Sequence, residues 1–210
     1  MCDRESPNYN KTMNPDSMAR LGGWLFTRRS WLPLPIVAAL LLIPAGSSIT
    51  FSTRVVWAGV LIVLAGEALR LWAVHHIGVI SRTRSDRLGP LVATGPFSLV
   101  RNPLYVGNIL LWLGFAVSAG LLWVAPLVVL LLALEYHAIV RWEERLLESR
   151  LGDAYRVYAA RVSRWVPSLR PPERLGSGRR FSWRETLFSE RGTLMAIVLG
   201  YLLLWAKAMV

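Results

Sequence analysis

One cysteine, Cys2, is all the thiol chemistry this 210-residue chain holds. An internal disulfide is therefore impossible, nothing implies an oxidising compartment, and the glycine pattern of N-myristoylation is missing from the same stretch. Missing too are the GxGxxG and P-loop patterns, the CxxC pair and the HExxH zinc helix. There is no internal repeat or low-complexity tract, and the paired interrupted spans of a transporter are not seen. The first thirty residues are polar, so no cleavable signal peptide is expected at the front. Charge itself is missing over three long stretches: between Arg29 and Arg54, between Arg101 and Glu135, and between Arg191 and Lys207.

The apolar fraction is 54%, with ten tryptophans. A helix needs ~20 mostly apolar residues to cross a bilayer, or ~17 at the short end, so the chain reads as an integral membrane protein. Its net charge of +11 raises nucleic acid as a partner, but no basic block outside the apolar stretches is interleaved with stacking aromatics. The positive-inside rule accounts for the charge better, and no nucleic acid is expected. Five Lys/Arg precede the first expected span, Arg54 alone sits in the next loop, and Arg82, Arg84, Arg87 and Arg101 follow. Twelve arginines then run from Arg141 to Arg191. This alternation places the N-terminus and the C-terminal segment on the cytoplasmic side. The lack of targeting signals and insertions favours a bacterial inner membrane.

The expected fold is an all-α, polytopic transmembrane bundle of about five spans with a cytoplasmic C-terminal helical segment. The first span covers roughly Trp31 to Ser48, with Pro33 and Pro35 in its first turn. The second covers Val55 to Ile77 and carries Glu67 and Arg70, three apart and so able to pair on one face. His75 and His76 point in different directions on a helix, which suits hydrogen bonding at an interface better than joint metal ligation; no metal is expected. Residues 78–102 form a basic loop. The uncharged run from Asn102 to Leu134 is ~50 Å long as one helix, too long for one span, so Ser118-Ala119-Gly120 marks a tight hairpin. Its second helix continues past the bilayer, with Leu134, Ile139, Trp142, Leu146 and Leu147 as an apolar stripe. Gly152 stops it and Asp153 caps a further short helix. After a proline-broken loop, Ser182 and Glu185 form a capping box for a short interfacial helix, and Thr193 to Ala206 makes a last short span. In domain terms, 1–30 is a polar arm, 31–167 the core with its site, and 168–210 a linker, interfacial helix and last span.

The hairpin returns RWEERLLESRLGDAYRVY to the same membrane face as GPFSLVRNPLYVGN. Glycines in the second stretch admit a close ligand approach. A helix starting near Pro103 presents amide hydrogens and a positive dipole end to a carboxylate. Glu143 and Glu144 could hold ribose hydroxyls or an ammonium group. On the residues alone, ordinary anchoring at the interface explains the same features.

GPFSLVRNPLYVGN resembles the GPYxxVRHPxYxG signature of the isoprenylcysteine carboxyl methyltransferase and phospholipid methyltransferase superfamily. EERLLESRLGDAYRVYAARVSRWVP is similar to its EExxL…FGxxYxxYxxxVxRxxP element, and GEALRLWAVHHIG to a run found before the loop in bacterial members. The three blocks cover about residues 66–167. The resemblance implies S-adenosylmethionine as methyl donor and a lipophilic acceptor arriving from the bilayer. Its site residues would be Gly95, Pro96, Arg101, Asn102, Tyr105, Gly107, Glu143, Glu144, Tyr155 and Tyr158, with Arg164 in support. Asn102 stands where the family has histidine, and Phe97 where it has tyrosine; asparagine keeps a donor and an acceptor but cannot titrate. Arg101 and Arg141 are the candidates to orient an acceptor carboxylate. An amine acceptor would lose a proton, for which Glu67, Glu135, His75 or His76 are available. The residues choose neither the acceptor nor an oligomeric state. A sterol-reductase-like enzyme using NADPH and a non-catalytic membrane protein are the rival readings.

Overall fold

The computed structural model describes residues 17–29, 31–44, 52–78, 91–167 and 181–209. These form seven helices and no strand: α1 (Ser17–Arg28), α2 (Leu34–Leu42), α3 (Thr53–Ile77), α4 (Pro103–Ser118), α5 (Ala125–Leu151), α6 (Asp153–Arg161) and α7 (Trp183–Ala208). A 3-10 turn, Gly95–Ser98, precedes α4. The fold is an all-α membrane bundle. Three helices (α3, α5 and α7) are long and apolar enough to cross a membrane, and α4 is shorter at 16 residues. Where a first span over 31–48 was expected, the described helix is α2, nine residues long; residues 45–50 lie outside the described part. So do 79–90 and 168–180, which hold most of both expected loops.

The pairing of α3 with α4 is set by glycine. Gly59 and Gly66 share one face of α3, two turns apart, and Gly107 and Gly114 do the same on α4. A Cβ added at Gly66 would fall 2.8 Å from the Gly107 carbonyl oxygen, and one at Gly59 would fall 2.6 Å from that of Gly114. Backbones this close gain dispersion contacts, the main attraction left between helices in lipid.

The hairpin forms where Gly120 stands. Leu121 N donates to Ala116 O at 3.0 Å and Gly120 N to Val117 O at 2.9 Å. With Gly120 at φ +71°, that is a Schellman ending, which satisfies carbonyls the last turn of α4 would leave bare. Helix α5 then runs 27 residues to Gly152, at φ +56°. Two expectations along it change. Leu134 is 54% exposed while Ile139 is fully buried, so they do not share a packed stripe. Gly152, not Asp153, occupies the cap position of α6; Asp153 is its first residue and pairs with Arg156 at 2.9 Å.

Ser182 and Glu185 make the expected capping box. The helix they open does not stop, however: α7 continues unbroken for 26 residues, replacing the expected interfacial helix and separate short span. A Cβ added at Gly192 inside it would meet nothing within 4 Å. Only Thr186 and Glu190 of α7 are buried, and both bind α3. Arg70 Nη2 donates to Glu190 at 2.7 Å and to Thr193 at 3.0 Å, its Nε lies 3.3 Å from Glu67, and Nη1 bonds Asn108 on α4. The expected Glu67–Arg70 pair is present and is one limb of a larger buried network. Ionised groups at such depth are stable only when matched in this way. His75 stacks on Trp183, centroids 4.3 Å apart, and His76 Nδ1 lies 2.9 Å from the Trp72 carbonyl, so both have the interfacial contacts expected of them. At the opposite end Lys207 Nζ caps α2, donating to Leu40 O at 2.7 Å.

The polar N-terminal arm contains a helix the sequence reading missed. Helix α1 lies against α5, Gly22 on the Ala138 backbone and Phe26 on Trp142 with centroids 4.8 Å apart.

Candidate functional site

Three segments far apart in sequence are laced together where α5 leaves its apolar half. Arg101 N donates to Ser163 O at 2.9 Å, tying the chain before α4 to the chain after α6. Asn102 Nδ2 adds a bond to Arg164 O at 3.2 Å, and Tyr158 OH donates to Phe97 O at 2.7 Å. Asn102 sits at the N-cap of α4 without a side-chain cap bond, while its amide nitrogen donates across this seam.

Glu144 of α5 is the charged centre of the arrangement. Its Oε1 lies 3.0 Å from Arg101 Nη1, and Arg164 grips both its oxygens. A fork-to-carboxylate contact of this kind fixes both planes. The hydrogen bond to Glu144 raises the Arg164 pKa above its ordinary value. Burial, with Glu144 adding to it, pushes the Tyr155 phenol up to about 12, so it is a neutral hydroxyl at working pH. Burial raises Tyr158 likewise.

A cleft of about 440 Å³ opens between α5 and α6, within the usual range for small-ligand sites. Of the residues expected at the site, Arg101, Arg141, Glu144, Tyr155 and the supporting Arg164 line it. The others stand behind or beside it. Glu143 accepts from Tyr105 OH at 2.9 Å, and Tyr105 packs on Tyr136 with centroids 4.8 Å apart. Pro96 and Tyr158 are buried supports. Gly95 has φ +59°, and a Cβ there would fall 2.4 Å from His76 Nε2, so the close approach at this turn is that of an imidazole. At Gly107 it is that of helix α3, with Arg70 Cγ 2.5 Å from the Cβ position. The lining includes residues the sequence reading did not single out: Arg145, Glu148, Arg156, Ala159 and Ala160. Helical spacing was the available signal, since Arg141, Glu144, Arg145 and Glu148 recur at 3–4 residues and share one face.

The donor set fits a ligand with a carboxylate and hydroxyls. Among the described residues, Arg101 Nε and Thr94 Oγ1 are buried with no hydrogen-bond partner, one on each side of the Gly95–Ser98 turn. A buried donor left so costs about 1–3 kcal/mol.

Comparison with known proteins gives a family and two relatives. The family model described as phospholipid methyltransferase matches residues 54–154. The chain is similar to the cobalt-zinc-cadmium resistance protein CzcN of Cupriavidus metallidurans, 36% identical over 100 residues, covering 48% of this chain and 43% of that protein. It is also similar to the nickel-cobalt-cadmium resistance protein NccN of Alcaligenes xylosoxydans xylosoxydans, 33% identical over 118 residues, covering 56% and 52%. The chain thus spans about half the length of these curated relatives. No solved structure matches it. Over residues 54–154 the chain is thus similar to the phospholipid methyltransferase family, which lies within the superfamily of isoprenylcysteine carboxyl methyltransferase-like membrane enzymes.

Proposed function

We propose that the protein is an S-adenosylmethionine-dependent methyltransferase acting on a lipophilic acceptor at the cytoplasmic membrane face. The family match supports a membrane methyltransferase. The observation that supports the donor is the α5–α6 cleft, with Arg101, Glu144 and Tyr155 in its wall and the orphaned Arg101 Nε beside them. S-adenosylmethionine, when bound, supplies an electrophilic methyl group on a sulfonium.

The chain's own part is positioning, an effect worth up to ~7–11 kcal/mol in well-aligned reactions. Arg101 holds a carboxylate of the donor, Glu144 keeps Arg101 and Arg164 in place, and the neutral Tyr155 hydroxyl offers a hydrogen bond. Arg141, on the same face of α5, orients the acceptor. A carboxylate acceptor is the reading favoured here: it needs no base, and arginine outnumbers carboxylate in the lining. An amine acceptor is the alternative, with Glu135 of α5 as a carboxylate that can take the proton.

Isothermal titration of the purified protein with S-adenosylmethionine and with NADPH tests the donor. Binding of S-adenosylmethionine alone is expected; binding of NADPH alone would overturn the proposal in favour of a reductase. Membranes incubated with methyl-labelled donor then identify the acceptor. Both relatives are named for metal resistance, and a part in divalent-metal tolerance is proposed alongside. Deleting the gene should lower growth in cobalt, zinc or cadmium, and unchanged growth would remove that part.

A further inference from the structure

The lining of the cleft is charged more strongly than a methyl donor needs. Five arginines face two glutamates across it, a formal excess of three positive charges. Both glutamates are already matched: Glu144 by Arg101 and Arg164, and Glu148 by Arg156 Nε at 2.8 Å. Asp153 reaches Arg156 from the rim, yet it is 91% exposed and leaves the excess positive. Glu143 faces away, toward Tyr105.

S-adenosylmethionine carries a sulfonium, an ammonium and a carboxylate at neutral pH, so it is itself a net cation. A cation entering a positive cleft is opposed, and the opposition is relieved if an anion is already there. Arginine forks match the oxygens of phosphate two at a time. The lining holds three of them, Arg145, Arg156 and Arg164, each with a partner that a phosphate would share, together with the small Ala159 and Ala160.

We propose that the α5–α6 arginine cleft is a phosphate site, and that phosphate and the sulfonium donor bind there synergistically. The inference rests on the methyltransferase reading and adds its regulation: the donor is held tightly only when an anionic group is in place. That group can belong to a lipid headgroup at the membrane surface or to free phosphate. After methyl transfer the donor has lost its sulfonium charge, so the product gains nothing from the anion and leaves with the coupling switched off.

The test uses the full chain in phosphatidylcholine nanodiscs at constant ionic strength. S-adenosylmethionine is titrated with and without millimolar inorganic phosphate, and again in phosphatidylglycerol discs; S-adenosylhomocysteine is titrated in parallel. Tightening of the sulfonium donor by about tenfold is expected, with little change for S-adenosylhomocysteine. An effect of inorganic phosphate in neutral discs assigns the site to free phosphate, and an effect confined to phosphatidylglycerol assigns it to the headgroup. Arg145→Gln should abolish the enhancement and Arg145→Lys should keep part of it, with tryptophan fluorescence confirming that both fold. Equal affinity in all three conditions, or weaker binding with phosphate, overturns the inference and leaves the methyltransferase reading standing. If neither donor nor product binds anywhere, that reading fails first.

Discussion

Arg164 holds Glu144 by both carboxylate oxygens, Nε to Oε1 at 3.0 Å and Nη2 to Oε2 at 2.6 Å. With Arg101 on the same carboxylate at 3.0 Å, one side chain of α5 fastens the chain before α4 and the chain after α6. Glu144→Gln keeps the shape and removes the charge. Hydrogen bonds to charged groups contribute about 1.5–3 kcal/mol each, and these groups are partly solvated. Donor affinity is therefore expected to fall about tenfold to thirtyfold, measured by titration calorimetry, with helix content by circular dichroism unchanged. An unaltered affinity would remove Glu144 from the site.

Gly107 and Gly192 make a contrasting pair. At Gly107→Ala the new methyl meets Arg70 Cγ at 2.5 Å and the Gly66 carbonyl oxygen at 2.9 Å. Overpacking of this kind costs about 1–3 kcal/mol. At Gly192→Ala it meets nothing within 4 Å, and the better helix former adds up to about 1 kcal/mol. Thermal unfolding in detergent should move down for the first and stay level or move up for the second.

The buried network predicts an asymmetry between Arg70 and Glu190. Loss of Glu190 leaves Arg70 with Glu67 at 3.3 Å and with Asn108. Loss of Arg70 takes from both buried carboxylates, Glu67 and Glu190, the cation they share. Removing one partner of a buried pair costs about 3–5 kcal/mol. Arg70→Leu should therefore destabilise the protein more than Glu190→Leu, as read by melting temperature. Equal losses would mean that Glu67 does not share the charge.

Asn102 bonds Arg164 O at 3.2 Å through its side-chain amide, a contact that an imidazole N–H can also make. Asn102→His is expected to retain activity at pH 8. Its rate should then fall as pH drops through roughly 6, where imidazole gains a proton beside Arg101 and Arg164. The parent, with no titrating group at this position, should show no such limb in its pH–rate profile. Matching profiles would place residue 102 outside the field of the site.

How much of this was legible depended on distance along the chain. The Ser182–Glu185 capping box, the Glu67–Arg70 pair and the hairpin at Gly120 are local: each relates residues within a turn or two, so spacing and residue type were enough. Glu190 and Asn108 were not found as partners of Arg70, because no short-range pattern marks a contact across 120 or 38 positions. At Gly107 a glycine in the sequence shows only that something comes close, not that it is Arg70 and the Gly66 backbone. The unbroken length of α7 escaped notice because Glu190 and Arg191 look like the end of a span; in the bundle Glu190 is matched by Arg70 and the helix simply continues.

Sequence alone determined the membrane character, the all-helical class and the family signature, because uncharged length, helical period and motif order are written along one dimension. The tertiary structure decided which glutamate faces the cleft and which faces Tyr105. Glu143 and Glu144 are neighbours in sequence, but a helix turns about 100° per residue, and that rotation sends one carboxylate to α4 and the other between two arginines.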